Sequence, residues 1–253
     1  MIIKKLLMCG LAVVMMAGCA HKNDAGQRAR ENYARSLADS VANIKYEIDS
    51  CNNEIGQLNE TVGTWLRDFT AVNNSREVEG YTIRTGWQNR YPLQSTGMIA
   101  RITESEGLEL IASLKGGVFD QITVSAAGNS ASTAVVPNDQ ALNYRREGLT
   151  TVMFTGTQAD SVAHLIADNI LDNVQVTFVN GGRPTGSWKM PADYTKMIAG
   201  TYELYSSHQR QIKLERHVRV LQEKMKLLRE HTDRNAASTD NATSDDNANS
   251  DEK

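Results

Sequence analysis

The chain has 253 residues, a formal net charge of −3 and an apolar share of 40%. That balance excludes a basic nucleic-acid surface spread over the whole molecule and leaves room for one core with extensions, or two small domains. None of Cys9, Cys19 and Cys51 stands at the spacing of a zinc-binding pair.

Lys4 and Lys5 precede an apolar run over 6–16, which ends in Met16-Ala17-Gly18-Cys19. A short basic region, an apolar stretch of about ten residues and small residues before a cut form a secretory pattern. The stretch is about half of what a bilayer core requires, so it is not read as a span. With Cys directly after the small pair, it resembles the signal peptide and lipobox of bacterial lipoproteins. Met16 stands where that motif usually has Leu. The resemblance implies cleavage after Gly18, diacylglycerol on the Cys19 sulfur, further acylation such as palmitate, and anchoring to a membrane; two or more acyl chains hold stably where one does not. It covers only about twenty residues. In Gram-negative sorting, Ala20 rather than Asp after the lipidated Cys implies the outer membrane. The lack of an acidic cluster over 20–24 implies its periplasmic face.

Residues 19–23 are read as anchor and spacer, and 24–65 as a long helix capped by Asp24. Leu37, Val41, Ile44, Ile48, Cys51, Ile55, Leu58, Val62 and Trp65 alternate four and three apart, a heptad seam with Val or Ile at one position and mostly Leu or Ile at the other. On this seam Cys51 is expected to be buried as a small hydrophobe and unreactive. A second helix is expected over 191–230, opening at Pro191-Ala192-Asp193, with its seam on Leu214, Val218, Leu221, Met225 and Leu228. Upstream that seam loosens through Met197, Ile198, Leu204, Tyr205 and Ile212. Between Leu37 and Trp65 the first helix carries Asp39, Glu47, Asp49, Glu54 and Glu60 against Lys45, whereas the second is rich in Arg and Lys between Leu204 and Glu230. Opposite charge favours pairing of the two over self-association of either.

Between them, residues 66–190 change period toward two. Strands are expected at 81–84, 98–103, 108–114, 119–125, 132–136, 142–145, 151–155, 174–179 and 187–190, with one helix at 158–169. Lys115-Gly116-Gly117, Glu147-Gly148 and Asn180-Gly181-Gly182 sit where hairpin turns would fall. Residues 231–253 hold no aromatic, Leu, Ile, Val or Met, and are expected to form a disordered acidic tail.

The fold class is therefore α+β: a long antiparallel helical hairpin, a coiled-coil stalk, with an inserted, mainly antiparallel β head that is a sandwich or a partly closed barrel. The search for chemistry finds no metal-binding His pattern, nucleophile elbow or phosphate loop, and neither cofactor nor metal is expected. Asp160, Ser161 and His164 are the nearest approach to a reactive cluster; a helix cap and an exposed flank account for them as well. Glu104, Glu106 and Glu109 alternate near a turn and read as a solvated edge. Trp87, Arg90 and Tyr91 form the candidate binding patch, since aromatics and Arg anchor interfaces; Trp87 and Tyr91 could equally plug the base of the sheet. Trp65 and Trp188 are expected to fill the junction of helices and head. The function expected is that of a lipid-anchored envelope protein, not an enzyme, whose head binds an envelope protein or a glycan. It is expected to touch no nucleic acid, with a monomer favoured over a homo-oligomer. The rivals are a hydrolase of envelope polymers with its site in head loops, and an oligomeric structural spacer.

Overall fold

The structure, a computed structural model, describes residues 22–73, 80–139 and 141–244. The expected signal peptide, Cys19 and Ala20 lie outside the described residues, as does the end of the expected tail. The heptad-patterned segment is helix α1 (Lys22–Trp65), followed by a single 3-10 turn and strand β1 (Phe69–Val72). Then come β2 (Tyr81–Arg84), β3 (Gly97–Thr103), β4 (Gly107–Lys115), β5 (Gln121–Ala126), β6 (Asn129–Ser132), β7 (Asn143–Arg146) and β8 (Leu149–Phe154). Helix α2 (Gly156–Asp168), β9 (Gln175–Asn180), β10 (Arg183–Lys189) and helix α3 (Ala192–Ser244) complete the chain.

The strands form two antiparallel sheets, β1-β2-β3-β4-β8-β7 and β10-β9-β5-β6. Three two-residue hairpins are tied by residue pairs with positive φ: Ala127-Gly128, Glu147-Gly148 and Gly181-Gly182. Both central residues of such a turn need that conformation, because its twist then matches the strands it joins. Gly116-Gly117 does a different task from the hairpin expected of it. β4 pairs with β3 and β8, and the chain passes at these glycines into the second sheet. A Cβ at Gly117 would lie 2.6 Å from Leu114 Cδ2, so any side chain there would displace the Leu114 side chain. The expected strand at 132–136 is displaced to Asn129–Ser132, because the Ala127-Gly128 turn sets the hairpin earlier and Pro137 follows.

The sheets share one core. Phe119 meets Phe178 edge-on at 4.9 Å between ring centres and Phe154 at 6.5 Å. The α2 face bearing Ala159, Val162, Ala163 and Ile166 is buried in the same cluster, as are Met197 and Ile198 of α3.

The chain divides into two compact units, Asp49–Val220 and Met1–Ile48 with Leu221–Lys253. The first takes in the ends of both long helices as well as the sheets, because Met197, Ile198 and Leu204 are buried there. In this unit Arg210 Nε donates to Glu54 Oε1, joining α3 to α1. In the second unit Ile44, Ile48 and Leu221 are buried, and Tyr33 Oη lies 3.4 Å from His231 Nδ1. Helix α3 runs past the expected end at Glu230 as far as Ser244, so the first part of the expected disordered tail is helical. No Gly or Pro follows Gly200 in this helix, Arg234 pairs with Glu230 one turn back, and Ala236 and Ala237 are strong helix formers.

Candidate functional site

A concavity lies within the Asp49–Val220 unit, on one face of the six-stranded sheet. Its floor follows from strand register. Ala71 is opposite Thr82, and Thr82 is opposite Ile102, so three adjacent strands present small and apolar side chains on one face. Val62 and Leu66 bound it from the α1 side. Leu204, His208 and Ile212, each one turn apart on α3, form the other wall with Tyr205. Asn73, Glu104, Gln209 and Gln211 supply polar groups at its margin, and the cavity volume is about 840 Å³. Gly107 admits the Tyr205 ring: its φ is +74°, and a Cβ there would stand 3.0 Å from Tyr205 Cε2. Burial, reinforced by the nearby Asp160 charge, holds the Tyr205 hydroxyl above the ordinary tyrosine pKa, so it remains a proton donor at neutral pH. The groove thus offers an apolar floor, amides, an imidazole and one carboxylate, a combination suited to binding.

The patch expected at Trp87, Arg90 and Tyr91 is largely turned inward. Trp87 is buried against Tyr194, ring centres 4.7 Å apart. The Arg90 guanidinium lies 4.3 Å over Trp87 and donates to Asp193 Oδ2 at 3.1 Å. Tyr91 meets Tyr81 edge-on at 5.8 Å and flanks Arg101. These contacts match the plugging alternative, with Arg90 the exposed member. Trp188 packs edge-on to Tyr194, and Trp65 lies beside Gly200.

Asp160, Ser161 and His164 are not brought together as a triad. Ser161 Oγ donates to the Thr157 carbonyl, and His164 Nε2 lies 3.4 Å from Asp168 Oδ2. Glu109 is not a solvated edge residue: it is buried and paired with Arg101, apart from the exposed Glu104 and Glu106. Arg101 and Glu109 face each other across β3 and β4, so the carboxylate that sequence alternation assigns to solvent is drawn in by its cross-strand partner.

No family model, characterised protein or solved structure matches this chain.

In sequence, Leu204, Tyr205 and Ile212 stand in the loosened seam of α3, Val62 in the seam of α1 and Glu104 among the alternating carboxylates, with nothing to join them. The rest come from segments far apart in the chain.

Asp160 gives a pH test. Burial raises its pKa, and Lys213 offsets this in part. A carboxyl whose folded pKa lies above its unfolded value favours the native state when protonated, so it lowers stability once pH rises through that window. Asp160→Asn is therefore expected to raise the urea midpoint slightly at neutral pH. The gain should vanish below the ordinary carboxyl value of 3.8.

Proposed function

We propose that the protein is a lipid-anchored cell-envelope protein, non-enzymatic, whose β head binds an envelope protein or a glycan. In this reading α1 and α3 pair antiparallel within one chain as a coiled-coil stalk, and Cys19 carries the lipid that holds the assembly at the periplasmic face of an outer membrane. The observation that carries the binding role is the groove on the six-stranded sheet, with its apolar floor and polar margin. Its volume lies within the roughly 300–1,000 Å³ of ligand-binding clefts. Support for the stalk comes from the Arg210–Glu54 pair and from the opposite charge of the helices.

Fractionation tests the anchor. The wild-type chain is expected in the membrane fraction and to incorporate labelled palmitate, whereas Cys19→Ser should lose the label and appear in the soluble fraction. Equal membrane retention by both would overturn the lipid reading. Sedimentation of the soluble variant is expected to give a monomer; a stable oligomer would favour a structural spacer.

A further inference from the structure

We propose that the outer edge of β1, beside the groove, accepts an extended peptide of another protein as an added strand. This rests on the reading that the head binds a partner, and it names the partner's form.

The sheets have four edge strands, and three of them carry a guard against pairing. β10 holds Pro184 and a register break between Pro184 and Gly186. β7 ends in the exposed Arg145 and Arg146. α2 packs against β6. Proline, bulges, charge and covering elements are the devices that keep edges from pairing. β1 reads Phe-Thr-Ala-Val, with no charge, proline or register break, and none of its residues is buried.

The phase of its ladder shows what this edge offers. Thr85 N–H donates to the Asp68 carbonyl at 2.8 Å, and these residues are in register with the β1–β2 pairs. Antiparallel residues alternate between facing their partner and facing away. Thr70 and Val72 therefore bond to β2, while the C=O of Phe69 and both the N–H and C=O of Ala71 point outward; the Phe69 N–H donates to the Leu66 carbonyl. Among the described residues no strand lies on that side.

A strand added there would set every second side chain on the face that bears Ala71, Thr82 and Ile102, the floor of the groove. Apolar side chains suit that floor. Glu104 is the carboxylate at the groove margin, so a Lys or Arg in the peptide meets the complementary charge. A second copy of this chain fits less well: two four-residue edges would bury far less than the roughly 1,200 Å² of a stable complex.

The test selects random dodecapeptides displayed on phage against the full chain in detergent, then measures the synthetic peptides by fluorescence polarisation. Enriched sequences are expected to alternate apolar residues and to include Lys or Arg. Ala71→Pro removes an outward donor without touching the β2 ladder, since edge strands tolerate proline where the N–H faces out. It should weaken binding about tenfold, the loss expected from a hydrogen bond of about 1.4 kcal/mol. Ala71→Lys, which leaves the backbone donor in place but guards the edge with charge, should act in the same direction. Unchanged circular dichroism and urea midpoint certify the fold of each. Undiminished binding by both variants, with loss in Leu66→Asp, would overturn strand addition while leaving a peptide-binding groove. If no peptide is enriched but peptidoglycan fragments bind, strand addition fails and the binding role stands; if neither binds, both fail. Dimerisation of the chain that Ala71→Pro abolishes would place a second copy on the edge and overturn the choice of partner.

Discussion

Glu109→Leu is expected to destabilise the sheet-bearing unit by about 3–5 kcal/mol, the range for removing one member of a buried ion pair. Glu109 Oε2 accepts from Arg101 Nε at 2.5 Å, and the two side chains are only 9% and 8% exposed. The guanidinium is further held between aromatic rings, 4.6 Å from Tyr81 and 4.9 Å from Tyr91. Those rings attract the cation without neutralising it, so the variant keeps a buried guanidinium that has lost its Glu109 contact. Arg101→Met with Glu109→Leu should recover most of the loss, because the buried cation is removed together with the Glu109 carboxylate. Urea denaturation of the two single variants and the double variant gives the coupling. A double variant as unstable as Glu109→Leu would mean that the pair holds the sheet by geometry that apolar packing cannot replace. The same contacts explain why Tyr91 is not available as a binding anchor: its ring belongs to the Arg101 site.

Much of the secondary structure is legible in the residues, and the reasons for the exceptions are local. β2, β3, β4, β8 and β9 fall close to their expected places, because β-branched runs there are bounded by turn residues. β1 is not legible because it follows α1 after one 3-10 turn, with no Gly or Pro between them to mark the change from helix to strand. The Lys115-Gly116-Gly117 turn was visible, but whether a turn closes a hairpin or crosses between sheets depends on strand pairing, which is non-local. Arg101 and Glu109 illustrate the same limit, since a charged residue at an inward position is intelligible only once its cross-strand partner is known. The groove was least legible. Its floor joins Ala71, Thr82 and Ile102, and its wall comes from α3 more than a hundred residues later. What sequence did show was the break of the α3 seam at Leu204 and Tyr205. A helix that lies on a sheet needs a broader apolar face there than a heptad provides.

Ile48→Asp addresses the proposed stalk. Ile48 is 7% exposed, and Ile44 and Leu221 of the same unit are buried as well. Long polar helices gain little from propensity alone and require a packed face to persist, so a buried isoleucine on α1 implies a partner surface whose loss should melt the helix. A carboxylate at that position would lose its hydration on burial, with an expected cost of about 3 kcal/mol or more. The sheet core contains neither Ile44 nor Ile48, so its own stability should be largely untouched. Thermal unfolding followed by two probes separates the effects. The far-ultraviolet helix signal should begin to fall at a markedly lower temperature in Ile48→Asp. Fluorescence of Trp87 and Trp188, which pack on Tyr194 within the other unit, should report a transition near the wild-type temperature. If the helix signal melts as in wild type, Ile48 lies in no packed seam and the coiled-coil stalk is wrong. If both probes shift together, the helices and the sheets unfold as one cooperative body, and the head cannot be treated as a module carried on a separate support.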